Sequence, residues 1–352
     1  MLKSHLVNIA RAATLGVVAL FFAAPAVPAL AQGAAPAPSW ADPALLKAAR
    51  AEGGLTVYSS MNEREGLPLW KLFEQATGIK VEYVRASDTA LLGRIALEAR
   101  GGQKIWDLLV STAVIRLPGE FLQPIDPPEA KAIIPQARAA DKRWYGVYAN
   151  YNTPSYNTKF VKKSDLPTTY EGFLAHKEWA GKVVIDHADT QWLAGMFSYY
   201  GEQRARKLIG ELAATLHPVL ADGHLALARS VAAGEYWIAL NNFVNLTLNL
   251  QISGGPTDFW PLEPTALFFG QVGVSAHAPH PNTARLAANF LLSKEAQQML
   301  PHAGRIPVRN DVTPNPPDTL ARLSHTKVVA VHFTSDEEKK WRKTFQELFH
   351  PR

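Results

Sequence analysis

Polar residues suited to holding a small ligand stand directly behind four short apolar runs. Leu55-Thr56-Val57-Tyr58 is followed by Ser59 and Ser60, and Asp107-Leu108-Leu109-Val110 by Ser111 and Thr112. Lys182-Val183-Val184-Ile185 leads into Asp186 to Thr190, and Tyr236-Trp237-Ile238-Ala239-Leu240 into Asn241, Asn242 and Phe243. Each run reads as a strand, and in open α/β sheets ligands collect outside the carboxyl ends of the strands. Most of these places also precede an expected helix start, where unpaired N–H groups and partial positive charge suit an anion. Ser59, Ser60 and Thr112 would add donors, so a carboxylate or phosphonate could be held without any arginine. Taken singly, Ser, Thr and Asn are the commonest helix caps, and a cap needs no ligand. The argument for a site is that all of them follow strands, in two separate units.

One segment offers metal chemistry. Asp186-His187-Ala188-Asp189 places two carboxylates and an imidazole within four residues, a donor set that could coordinate iron or zinc. Successive side chains after a strand point apart, so a common focus is not assured and solvated loop residues are the simpler reading. Trp192, just beyond, would either stack on a ligand or pack into the core. Enzyme signatures are absent: there is no Gly-x-Ser-x-Gly elbow, His-Glu-x-x-His pair, glycine-rich dinucleotide turn or phosphate-loop lysine. His277 and His280 are flanked by Pro279 and Pro281, which argues against a helical metal face.

The elements needed to position these groups fit a long exported chain. Lys3 and Arg11 precede or open an apolar run from Ala12 to Ala24, and Ala29-Leu30-Ala31 forms a small-x-small site before Gln32. This pattern predicts a signal peptide over 1–31, cut after Ala31. A retained span would need roughly 20 uninterrupted apolar residues, and Pro25 and Pro28 interrupt this one. The 352 residues contain no cysteine, which excludes thiol catalysis and cysteine metal sites; a chain of this size buries a sufficient core without disulfides. The formal charge of +5 falls to about +3 once Lys3 and Arg11 are removed. No basic cluster marks a nucleic-acid or membrane surface.

Residues 32–40 read as a disordered leader rich in Ala, Pro, Gly and Ser. Beyond it the pattern alternates strand and helix. Residues 63–76 read as a helix with Leu67, Trp70 and Phe73 on one face, closed by Gly78. Ile79 to Tyr83 alternates as a strand, and Asp88 is placed to cap the next helix. This order predicts right-handed crossovers and a largely parallel sheet. A second unit starts near residue 150, with helices expected over 190–200, 202–215 and 223–233, the last stopped by Gly234. Length is consistent with two domains.

The closing third carries the most specific text: His280-Pro281-Asn282-Thr283-Ala284-Arg285, Phe290-Leu291-Leu292-Ser293-Lys294-Glu295-Ala296-Gln297 and Gly304-Arg305-Ile306-Pro307-Val308-Arg309. Together with Val57-Tyr58-Ser59-Ser60, Tyr151-Asn152-Thr153 and Ala232-Ala233-Gly234-Glu235, it resembles the periplasmic solute-binding proteins of ABC importers. The resemblance is to extracellular solute-binding family 1, in the branch that includes the ferric-ion-binding proteins. It implies an α/β, two-lobed binding-protein fold of class II type, each lobe a mixed, mainly parallel sheet flanked by helices. Lobe 1 would comprise 41–150 plus 258–305, and lobe 2 would comprise 151–257 plus 306–352. Tyr148, Asn150 and Tyr151 would run across the hinge and line the cleft, joining Ser59, Ser60, Ser111, Thr112, Asp189, Thr190, Trp192 and Asn242 as candidate ligand residues. The protein would be a periplasmic monomer that captures a solute and passes it to an ABC permease and its ATPase. No catalysis, cofactor, nucleic acid or membrane insertion is implied.

Iron binders of the branch hold ferric ion through two adjacent tyrosines shortly after the stretch matching Ala233-Gly234-Glu235. Here that position reads Leu240-Asn241-Asn242-Phe243-Val244-Asn245, and the pair Tyr199-Tyr200 lies well upstream. An organic anion such as a carboxylate or phosphonate is therefore the preferred ligand. Ferric or another metal ion, held by Asp186, His187, Asp189 and Tyr148, is the alternative, and an exported hydrolase a more distant one.

Overall fold

The computed structural model describes residues 37–332 and 335–349. The expected signal peptide and its cut lie outside those residues. The first half begins with α1 (Pro43–Glu52), β1 (Gly54–Ser59), α2 (Glu63–Thr77), β2 (Lys80–Arg85), α3 (Asp88–Arg100), β3 (Leu108–Ser111) and β4 (Leu122–Gln123). β1 pairs in parallel with both β2 and β3, as the alternation of strand and helix predicts. β5 (Tyr145–Asn157) then leads into the second half: β6 (Val183–Asp186), α4 (Thr190–Tyr200), α5 (Glu202–Leu216), β7 (Val219–Ala221), α6 (His224–Ala233), β8 (Ile238–Phe243), α7 (Val244–Ile252) and β9 (Thr257–Phe259). The chain returns along β10 (Thr265–Ser275) and closes with α8 (Pro281–Leu292), α9 (Lys294–Met299), β11 (Ile306–Pro307), α10 (Thr319–Leu323), β12 (Val328–Ala330) and α11 (Ser335–Phe349).

The main sheet path runs β2-β1-β3-β10-β5-β8-β6-β7. Its centre is the antiparallel pair β5–β10, two long strands that serve both halves. Two large apolar clusters flank this centre. One gathers Val57, Phe73, Leu108, Val147, Phe269 and Phe290. The other gathers Ile185, Trp192, Leu193, Leu240 and Trp260, with Phe345 of α11. A further cluster containing Tyr58, Leu91, Ile95 and Leu109 covers the opposite face of β1 and β3, so these strands are buried on both faces and read as continuous apolar runs. The boundaries expected at 150/151 and 257/258 fall inside β5 and β9. Val244 and Leu248 of α7 pack into the first cluster, as do Ile306 and Val308.

Local detail departs from the sequence reading in three places. Trp40, expected in a disordered leader, is buried with its ring 5.0 Å from that of Phe290, and its carbonyl accepts from Asn289 Nδ2 at 2.6 Å. A large indole close enough to the core is worth burying whatever the composition around it. Leu67 is exposed; the buried stripe of α2 is Gly66, Leu69, Trp70, Phe73 and Thr77, one helical face. The cap of α3 is Ser87, whose Oγ accepts from Ala90 N at 3.3 Å, while Asp88 is free to turn elsewhere. The end of α2 agrees with expectation: Gly78 takes a left-handed φ of 76° and donates its N–H to Glu74 O at 2.8 Å.

The start of α8 is closed by a side chain from far away in sequence. His280, its cap residue, makes no side-chain cap bond. Instead the Glu52 carboxylate accepts from the N–H groups of Asn282 (3.1 Å) and Thr283 (2.8 Å) and from both side chains. Burial alone would raise the Glu52 carboxyl, but the Thr283 and Asn282 hydrogen bonds outweigh it and hold it below the ordinary range. A lowered folded pKa means stabilisation present above the unfolded value, about 4.3, and lost as pH falls through the folded one. Glu52→Gln is thus expected to cost about 1 kcal/mol at neutral pH, with the gap to the parent closing in acid. Denaturation at neutral pH and below about pH 4 reads this out; a gap that persists in acid rejects the carboxylate cap.

Candidate functional site

A cleft of about 450 Å³ opens between the two halves, beside the centre of the sheet. One wall comes from the first half. β1 ends at Ser59, whose Oγ donates to Val110 O (3.0 Å) and accepts from Met61 N (3.1 Å), turning the chain toward α2. Ser60 and the α2 cap residue Asn62 line the cleft. β3 ends the same way: Ser111 Oγ accepts from Ala113 N at 3.0 Å, and Thr112 lines the cleft. Ser111 and Thr112 both donate their hydroxyls to the Asp88 carboxylate, and Arg116 Nη2 stands 3.7 Å from it. Arg85 and Arg305 complete this wall.

Tyr148 and Asn150 of β5 form the floor. The Arg305 guanidinium lies 4.3 Å from the centre of the Tyr148 ring, donates to Asn150 Oδ1 at 3.1 Å, and pairs with Glu65 at 2.8 Å. Burial pushes the Tyr148 phenol up to about 12, with Arg305 opposing it only in part. Tyr148 is therefore a neutral phenol across the physiological range.

The other wall comes from the second half and includes Asp186, Asp189, Gln191, His224, Phe243 and Asn245. Asp189 caps α4 by accepting from Trp192 N at 2.9 Å, and its other oxygen accepts from Asn152 Nδ2 and from Asn241 Nδ2 at 3.1 Å. Burial raises the Asp189 carboxyl, opposed by His224. The His224 ring stacks on Phe243 with centroids 3.7 Å apart, and its Nε2 is 3.5 Å from one oxygen of each of Asp186 and Asp189.

Three helix starts face the cleft without a side-chain cap. The cap residues are Asn62 of α2, Gly223 of α6 and Phe243 of α7, and all three line the cleft. Free N–H groups and the positive ends of three dipoles are thereby directed at one volume. The α4 start is different, because Asp189 already occupies it.

Of the residues singled out from sequence, Ser60, Thr112, Tyr148, Asn150, Asp186 and Asp189 come together here. The others lie elsewhere. Ser59 and Ser111 are buried in the turns just described. Thr190 is buried at the start of α4, and Trp192 sits in the second core, donating to Tyr170 OH at 3.1 Å. Tyr151 packs against the first core. Asn242 is buried and donates to Ser155 Oγ and Thr247 Oγ1. His187 is exposed outside the cleft lining. Sequence reasoning missed Arg85, His224, Asn245 and Arg305. Only the helix expected over 223–233, which opens beside His224, hinted at one of them. Among the described residues no group of three or more His, Cys, Asp or Glu side chains is arranged to hold a metal ion.

The sequence pattern of bacterial extracellular solute-binding proteins matches residues 119–328, more than half of the chain. The chain belongs to this family. Family members are solute-binding proteins that deliver small ligands to ABC permeases. Relatives in Salmonella typhi and Salmonella typhimurium, provisionally named as 2-aminoethylphosphonate-binding periplasmic proteins, are 27% identical over 300 residues, covering 80% of this chain and 83% of theirs. Among solved structures, iron-bound HitA of Pseudomonas aeruginosa superposes with a TM-score of 0.70 at 21% identity, over 84% of this chain and 99% of that one. AfuA of Actinobacillus pleuropneumoniae, with fructose-6-phosphate bound, gives 0.71 at 21% identity, over 85% and 99%. These similarities establish the two-lobed binding-protein fold. Among the described residues no helix of this solute-binding protein is long and apolar enough to cross a membrane.

Proposed function

We propose that the cleft captures a small organic anion through a phosphonate or phosphate group, 2-aminoethylphosphonate being the leading candidate. The observation that carries this reading is the convergence of three uncapped helix starts on one cavity. Arg85 adds positive charge and Ser60 a hydroxyl on the same wall, where Arg305 is paired with Glu65 and Thr112 donates to Asp88. The 27% identical relatives support the same ligand class. In this reading the chain is exported, cut after Ala31, acts as a monomer without catalysis, and presents its closed form to a permease. Contacts made by both walls exist together only when the lobes are closed, so ligand shifts the population toward that form.

Ferric ion receives less support. Tyr148 is the one phenol lining the cleft among the described residues, and its raised pKa opposes the phenolate that iron would need. Calorimetry with 2-aminoethylphosphonate, fructose-6-phosphate and ferric citrate separates the classes. The phosphonate should saturate a single site and, at a hundredfold excess over Kd, stabilise the protein by about 2.7 kcal/mol. Ferric citrate should give no visible phenolate-to-iron band. Absence of heat and of thermal stabilisation with the phosphonate and the phosphate ester, together with an iron band, would reverse the assignment.

A further inference from the structure

Two cleft-lining side chains have buried polar atoms with nothing to bond: His224, through Nδ1 alone, and Asn245, through both atoms of its amide. Asn245, in the first turn of α7, is 1% exposed and lines the cleft, yet neither its Nδ2 nor its Oδ1 has a hydrogen-bond partner. Neighbouring amides are engaged. Asn241 Nδ2 donates to Asp186 O and Asp189 Oδ2 while its Oδ1 accepts from Asp186 N at 2.8 Å. Asn242 donates to two hydroxyls and accepts from Phe243 N. Asn152 keeps an unpartnered Oδ1 but does not line the cleft.

Buried carboxamides are ordinarily satisfied on both atoms, and leaving them bare opposes folding. The missing partners of Asn245 should therefore come from the occupant of the cleft. The amide asks for two things at once: an acceptor for Nδ2 and a donor for Oδ1. An acceptor-only anion answers the first and leaves the second open. The surroundings favour a donor that is also positive. Asp186 and Asp189 stand on the same wall. Phe243 and Phe268, whose ring centres are 5.1 Å apart, offer an apolar surface for a short carbon linker.

We propose that Asn245 selects a solute carrying an N–H donor beside its oxyanion, so that the site prefers an amino-phosphonate to a plain alkylphosphonate of equal length. This rests on the phosphonate reading of the cleft and adds to it the requirement for the amine. A site built to pair with a polar group rejects the analogue that lacks it, because its own groups are left unpaired.

The test is titration calorimetry of the purified protein with 2-aminoethylphosphonate and with ethylphosphonate, in the parent, Asn245→Leu and Asn245→Asp forms. The parent should bind the amino compound at least about tenfold more tightly. Asn245→Leu should bring the two ligands within about twofold of each other. Asn245→Asp, which keeps the acceptor, should retain the preference, and it decides the matter if the leucine variant does not fold by circular dichroism. Equal affinities in the parent, or an unchanged preference in Asn245→Leu, overturn the proposal. Should ethylphosphonate bind the parent as well as the amino compound does, the phosphonate reading stands and this inference falls; should neither bind, both fall.

Discussion

Arg305→Met is expected to lower the unfolding free energy by about 3–5 kcal/mol, the largest effect of any single substitution in the cleft. The Arg305 and Glu65 side chains are only 9% and 11% exposed, and the guanidinium donates through both Nε and Nη2 to one Glu65 oxygen at 3.1 and 2.8 Å. Methionine fills much of the same volume but strands the Glu65 charge in a place poor in water. It also removes the donor to Asn150 and the cation above the Tyr148 ring. Glu65→Leu in the same chain should restore most of the loss, since an apolar pair of similar volume replaces a buried ion pair at little net cost. Chemical denaturation of the two single variants and the double variant completes the cycle. A loss under about 1 kcal/mol in Arg305→Met would place this pair with the weakly coupled surface bridges.

The second large effect comes from a single methyl group. Gly270 lies directly across from Tyr148 in the β10–β5 ladder, and the tyrosine ring lies over it. A Cβ at 270 would meet ring Cζ at 2.0 Å and two other ring carbons at 2.3 and 2.4 Å. The ring cannot simply lift, because the Arg305 guanidinium sits against it. Gly270→Ala should therefore cost about 1–3 kcal/mol by overpacking and, by displacing Tyr148 from the cleft floor, weaken ligand binding as well. Tyr148→Leu alongside Gly270→Ala should recover stability without recovering affinity. A Gly270→Ala protein with unchanged melting temperature and affinity would mean that the ring has free space to move.

The sequence made the strand ends legible, and with them half of the cleft. It could not say which of two adjacent residues would face the solute. At both Ser59-Ser60 and Ser111-Thr112 the first residue turns back to bond a backbone N–H two positions on, and the second lines the cleft. Alternation of side chains along a strand makes a choice of this kind inevitable, but its phase is set by the turn, which leaves no mark in composition. Arg85 and Arg305 were illegible for another reason. They reach the cleft from β2 and from the loop before β11, so only the folded arrangement brings them together. Asn245 escaped because a polar residue in a helix's first turn ordinarily reads as solvated. β10 is hard to read from sequence because, buried on every position, it lacks the polar alternation that marks a half-exposed strand.

The seam between the halves has a consequence for how they can move. β5 and β10 cross it side by side as a hydrogen-bonded ladder, not as two loose linkers. Reorienting one half against the other must then be spread as small backbone adjustments over many peptide units. The ladder's irregularity between Gly270 and Gln271, and that of the adjoining β5–β8 ladder between Thr153 and Ser155, are the natural points of compliance. Such a seam behaves as a leaf spring: amide protons along it should exchange slowly even while the mouth gapes, and its stiffness, as much as the grip on the guest, would set how quickly cargo is let go.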